Sequence, residues 1–241
     1  VTALADSIAN ILSAGLAALH ALWGSYLAAI VLLTIGVKLV LHPLTRKQLK
    51  SMKAMQALAP QMEVLRRKYK DDPRQLNVEI MSLYRANKVN PFGGCLPMLL
   101  QLPILWGLFR LLSRPNIFGN EALFGVPLEA HPTFQAIAQH PLIALVPLLV
   151  GLTTYFQQSM SITDPTQAKM FIFMPIMITW FSINFPVGMS IYWIVSTAVY
   201  IAEYYLVVGP PRRVGVAPPR KERAAQRARR GAGAAGQRES E

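Results

Sequence analysis

The stretch LLTIGVKLVLHPLTRKQLK, residues 32–50, decides how the chain is read. It begins as an apolar run and ends as a basic one, with Lys38 inside the apolar part and Pro43 just past it. A charge at the centre of a membrane helix costs roughly 2.5–3.5 kcal/mol on insertion scales. Two readings of Lys38 follow. It lies four residues before His42, about 6 Å along a helix that rises ~1.5 Å per residue, so its ammonium can snorkel to the interface while its stem lies on apolar surface. Alternatively it faces a wet cleft, where much of the cost disappears. Spacing alone favours snorkelling.

The rest of the chain supports a membrane setting. Of 241 residues 53% are hydrophobic and only 15% are charged, and the mean hydropathy is +0.33, which together read as an integral membrane protein. The net charge is +12, from 24 Lys and Arg against 12 Asp and Glu. Such a surplus suits nucleic acid, anionic lipid or a ribosome, and its location must choose among them. A single cysteine, Cys95, rules out an intrachain disulfide, and metal-ligand spacing is absent. Residues 1–22 lack the basic flank of a secretory signal, and a start at Val1 suggests a processed or trimmed terminus.

A membrane span needs roughly 20 mostly apolar residues, with about 17 at the lower end. Five segments qualify or come close: 22–41, 94–112, 141–157, 170–185 and 187–208. Three are short, which implies a thinned bilayer or a wet site at one end. Pro97, Pro103, Pro147 and Pro175 lie within them and are tolerated where neighbouring helices or water satisfy the freed carbonyls. Ahead of the first span, Leu4, Ile8, Ile11, Leu12 and Leu19 recur at near-helical spacing with Asp6, Asn10 and Ser13 between them. Residues 1–21 are therefore expected to form an amphipathic interfacial helix, a frayed terminus being the plainer alternative.

Charge sets the expected orientation. The connection 42–93 carries eleven Lys and Arg, the connection 113–140 carries one, and the tail 209–241 carries nine. The positive-inside rule places the first and the tail in the cytoplasm, with the N-terminus outside. Within 44–90, Leu49, Met52, Met55, Leu58, Met62, Leu65 and Tyr69 step by three or four and mark one helix face. Pro60 is expected to kink that helix. A second helix is expected from Asp72-Pro73, with Asp72 as cap, Pro73 at the first position and Gln75 at a capping-box position. The result is a basic helical hairpin. Its Met52, Met55 and Met62 suit contact with varied client chains, because Met repacks easily, though a Met stripe is more often ordinary packing.

Three motifs resemble one family. NPFGGCLPMLLQLPILWGLFRLL (90–112) looks like the signature of the YidC/Oxa/Alb membrane protein insertases. LLTIGVKLVLHPLTRKQLKSMKAMQALAP (32–60) resembles that family's first core helix and hairpin, and TDPTQAKMFIFMPIMITWFSINFPVGMSIYWIVS (163–196) its last two spans. The likeness runs collinearly over about 22–208 and is closest to the compact five-span form, without a large extracytoplasmic domain. It implies an all-α fold of five transmembrane helices around a hydrophilic groove that opens to the cytoplasm and to lipid. Many bacterial members carry Arg where this chain has Lys38, a change that keeps the charge and loses the planar fork. The resemblance favours the groove over snorkelling.

Under this resemblance Lys38 attracts acidic residues of an incoming chain, and Thr34, one turn earlier on the same face, is a weaker groove candidate. Gln101, Gln157, Tyr192 and Trp193 are weaker groove candidates, each with a plain interfacial alternative. Glu203, near the inner end of the last span, is expected to snorkel or pair locally. The implied clients are newly made membrane proteins, handled by a monomer alone or with the Sec translocon, in a bacterial plasma membrane or else a thylakoid or mitochondrial inner membrane. No cofactor or catalytic residue is implied, and the chain has no phosphate-binding loop. The drive is burial of apolar segments in lipid, aided by the membrane potential. The tail is expected to be disordered; its Arg212, Arg213, Arg220, Lys221 and Arg223 suit either ribosomal RNA phosphates or anionic lipid.

Two other classes were weighed. A transporter usually shows carboxylates within its spans; here Glu203 alone qualifies, and no inverted repeat is visible. An intramembrane protease needs a Ser–His pair, and none of His20, His42, His131 and His140 lies deep in an expected span near Ser190.

Overall fold

A glycine and a serine separate the first two helices. The computed structural model describes residues 2–90, 96–112, 117–161 and 168–210. Helix α1 (Thr2–Trp23) stops at Gly24, whose φ of 69° is the left-handed conformation that side chains resist. Ser25 follows in extended geometry and its hydroxyl accepts from the Ala28 amide, capping α2 (Tyr26–Lys68).

Helix α2 corrects two expectations. The first membrane helix begins at Tyr26, not at Leu22, and it does not end at Leu41: span and first hairpin arm are one helix of 43 residues that includes Pro43 and Pro60. Proline removes one backbone hydrogen bond and crowds the preceding turn. Here packing on both sides of Pro43 holds the helix together, since Ile30 joins the main core and Leu49 and Met52 join a second cluster with Met160, Tyr200 and Tyr204.

The second hairpin arm is α3 (Pro73–Ala86), capped by Asp72, which accepts from the Gln75 amide at 3.0 Å. The Gln75 side chain turns away from the cap and donates to Glu79. Leu58, Met62 and Tyr84 join the two arms, and the Tyr84 hydroxyl lies 3.2 Å from the Met62 sulfur.

Beyond α4 (Leu96–Leu112) lies a segment that hydropathy left blank. It holds a small antiparallel ladder, β1 (Ala122–Leu123) with β2 (Val126–Pro127), turned through Phe124 and Gly125, both at positive φ. Two central residues at positive φ match the right-handed twist of a hairpin. Next come α5 (Phe134–Gln139), a 3-10 turn at Pro141–Ala144, α6 (Leu145–Ser161), α7 (Ala168–Ser182) and α8 (Val187–Val207).

Among the described residues, the regular structure is helical except for this ladder. Helix α8 packs against α2 on one flank and α6 on the other, α6 packs on α7, and α1 packs on both α2 and α4. The α6–α7 approach is close: a Cβ at Gly151 would overlap the Thr179 hydroxyl. In α1, Ala9, Leu12 and Leu16 are buried while Ile11 is 72% exposed, so the amphipathic pattern is used for packing. Asp6 of α1 also pairs with Arg110 of α4. Among the described residues, α2, the 141–161 unit and α8 are long and apolar enough to cross a membrane, and α4 and α7 contribute shorter apolar helices.

Candidate functional site

Residues four apart on a helix share a face, so Thr34, Lys38 and His42 form a polar line down α2. On α8, Tyr192 and Glu203 are eleven residues apart, close to three full turns at ~3.6 residues per turn, and so also share a face. The two lines meet. Tyr192 and Thr34 line one small cavity, closed by Leu12, Ile30 and Leu108 among others. Further along, His42 Nδ1 lies 2.6 Å from Glu203 Oε1.

Thr34 is buried and its hydroxyl donates to the Ile30 carbonyl at 2.6 Å, which satisfies the donor within its own helix. Lys38 is half-buried in the same helix. Glu203 is 6% exposed, and it meets α2 at His42, one turn from Lys38 on the same face. Glu203 Oε1 pairs with His42, while buried Oε2 has no hydrogen-bond partner among the described residues. The partner of Glu203 is thus 161 residues away, which a search for a local pair could not find.

Trp193 is half-buried and its indole N–H donates to Thr154 Oγ1 at 3.0 Å, joining α8 to α6. Gln157, one turn beyond Thr154, is half-buried on α6. The structure therefore brings Thr34 and Tyr192 together and Trp193 to the α6–α8 contact, while Lys38 and Gln157 share helix faces with Thr34 and Thr154. The Gln101 side chain and Arg212, Arg213, Arg220, Lys221 and Arg223 lie outside the described residues. An open pocket of about 430 Å³ beside α2 is lined by Leu19, Leu32, Gly36, Val40, Ile104 and other apolar residues, and none of the polar candidates among the described residues borders it.

The methionines divide between two packed clusters. Met52 is buried among Leu49, Met160, Tyr200 and Tyr204, and Met62 is buried against Tyr84, with Met55 half-buried beside them. Val64 and Val78 are the most open of the hairpin's large apolar side chains, at 59% and 62% exposure, ahead of Met81 at 39%.

At the end where α2 and α8 begin, the 117–140 segment caps both. The Glu121 carboxylate accepts from the Ser25 hydroxyl at 2.6 Å, from the Leu27 amide at 3.2 Å and from the Tyr26 amide. A carboxylate is favoured at a helix N-terminus by the free amides and the helix dipole. Burial alone would raise its pKa, but these hydrogen bonds outweigh burial and hold it below the ordinary glutamate value. The Val187 and Gly188 amides at the start of α8 donate to the Ala130 and Leu128 carbonyls at 2.9 and 2.8 Å. Nothing in the sequence pattern marks Glu121, because its partners lie more than ninety residues earlier.

A family model described as 60Kd inner membrane protein matches residues 18–210. Membrane protein insertase YidC of Syntrophus aciditrophicus is 40% identical over 188 residues, covering 76% of this chain and 33% of that protein. Membrane protein insertase YidC of Oleidesulfovibrio alaskensis is 38% identical over 207 residues, covering 82% and 38% respectively. The chain thus spans about a third of the length of the curated relatives it matches. Among solved structures, an active YidC insertase crystal structure with the first transmembrane domain resolved superposes with a TM-score of 0.66 at 28% identity, covering 83% of this chain and 46% of that one.

Proposed function

The chain belongs to the 60Kd inner membrane protein family, the YidC/Oxa/Alb insertases, and from that premise we propose that it moves newly made membrane proteins into the bilayer through a cleft bordered by α2 and α8. The observation that carries this reading is Lys38, a half-buried cation on the α2 face that also bears Thr34 and His42. An acidic residue of a client tail is attracted to Lys38 while the client's apolar segment enters lipid, which supplies the drive. Lysine serves here as a point charge, so attraction rather than a bidentate fit selects the client. The work is positioning and solvation, with no bond made or broken.

Five crossings, formed by α2, α4, the 141–161 unit, α7 and α8, put the β1–β2 ladder outside and the basic hairpin and tail in the cytoplasm of a bacterial inner membrane. Helix α1 lies in the interface. Exposed Val64 and Val78 offer the hairpin's apolar contact to a client or to headgroups, and the basic tail meets ribosomal RNA or anionic lipid. The protein acts as a monomer, alone or beside the Sec translocon.

Insertion of a single-span client with an acidic tail into purified proteoliposomes, scored by protease protection, tests the reading. Lys38→Arg should retain insertion and Lys38→Glu should lose it. Equal insertion by Lys38→Ala, Lys38→Arg and Lys38→Glu would remove the electrostatic role, and no insertion by the wild type over empty liposomes would remove the function.

A further inference from the structure

Glu203 has no place in the scheme above, yet it is the one buried acid among the described residues. It reaches from α8 to His42, one turn from Lys38 on the same face of α2. One carboxylate oxygen is spent on His42, and the other is buried without a hydrogen-bond partner among the described residues. A buried carboxylate with an unused oxygen is costly and is drawn to a neighbouring ammonium, which has three donors to offer. A client carboxylate drawn to Lys38 therefore meets a carboxylate already in place.

Resting on the cleft reading of Lys38, we propose that Glu203 is a resident counter-charge that competes with the client for Lys38, restrained by His42, and so sets how acidic a client tail must be to enter. Like charges disfavour each other at close range and more so away from water. A weakly acidic tail loses this competition more often than a strongly acidic one. The two members of the pair have opposite effects. Removing the Glu203 charge leaves Lys38 to the client. Removing His42 frees both oxygens of Glu203 for Lys38. Both effects pass through Lys38, so they are non-additive with its removal.

The test uses the full chain in proteoliposomes and one single-span client whose translocated tail carries no, one or several aspartates. Glu203→Gln should raise insertion of the one-aspartate client several-fold, with a gain that shrinks as aspartates are added and is absent for the neutral tail. His42→Gln should lower insertion of the same one-aspartate client. In a Lys38→Gln background both shifts should vanish. The proposal is overturned if Glu203→Gln changes all clients alike, or if its effect persists without Lys38. If Glu203→Gln does not fold, His42→Gln decides: unchanged discrimination between neutral and one-aspartate tails rejects the idea. A wild type that shows acid preference which Lys38→Gln leaves intact sinks the underlying cleft reading itself. A preference that depends on Lys38 but ignores Glu203 and His42 sinks only the counter-charge.

Discussion

Where α2 and α8 begin, the chain closes over them; where α8 finishes, it rests on α2 through a thin set of polar bonds. At the first end Glu121 caps α2, the Leu128 and Ala130 carbonyls cap α8, and Leu111, Phe118, Leu128 and Ile143 fill the space between with buried apolar side chains. At the second end the links among the described residues include His42 to Glu203, Gln56 to the Met160 carbonyl at 2.8 Å, the Tyr204 hydroxyl to Gln56 Oε1 at 3.5 Å and Lys53 to the Val208 carbonyl at 3.0 Å, around a five-residue buried cluster. Capped helix starts leave no amide to invite water or anions. This difference supports the proposed cleft: the end where α2 and α8 begin is firmly packed, and the end where α8 finishes is held by a smaller cluster.

That comparison breaks most visibly at Phe118, which is 1% exposed in the main core. Phe118→Ala should cost about 3–5 kcal/mol and be the most destabilising of the substitutions considered, read by thermal unfolding in detergent. Met52→Ala, in the smaller cluster, should cost less, about 2 kcal/mol. A larger loss at Met52 than at Phe118 would reverse the assignment of the firm end.

Glu121 comes next. Glu121→Ala leaves the Tyr26 and Leu27 amides without their acceptor, a loss of about 1–3 kcal/mol. The pH dependence has a definite sign. The folded pKa lies below the unfolded value, so Glu121 stabilises above the ordinary glutamate range, and that contribution fades as pH falls through the depressed folded value. Hydrogen exchange at Tyr26 and Leu27 should therefore speed up in acid in the wild type beyond its intrinsic trend, and lose that component in Glu121→Gln. Gln56→Ala should cost least, within about 1 kcal/mol, and should loosen only the second end.

Much of the helical layout was legible. The segments 170–185 and 187–208 contain α7 and α8 to within two or three residues, because long apolar runs bounded by proline or polar residues leave little choice. The Asp72 cap with Pro73 was equally plain. The continuity of α2 was hidden, since proline next to a basic stretch reads as a boundary and tertiary packing overrules it. The ladder and Glu121 were hidden because short loops carry no periodicity, and the His42–Glu203 pair because the chain places its members on different helices. Lys38 could be found from sequence as an unexpected charge, but its place one turn from the His42–Glu203 pair could not.

Which side of the membrane reaches Lys38 decides whether the proposed cleft opens inward. With Cys95 replaced by serine, Lys38→Cys in vesicles of both orientations would be exposed to a charged thiol reagent that does not cross lipid. Labelling only from the side that bears the α2–α3 hairpin is the predicted result. Labelling from the side of the β1–β2 ladder, or from neither, would contradict a cleft that is closed at one end and wet at the other.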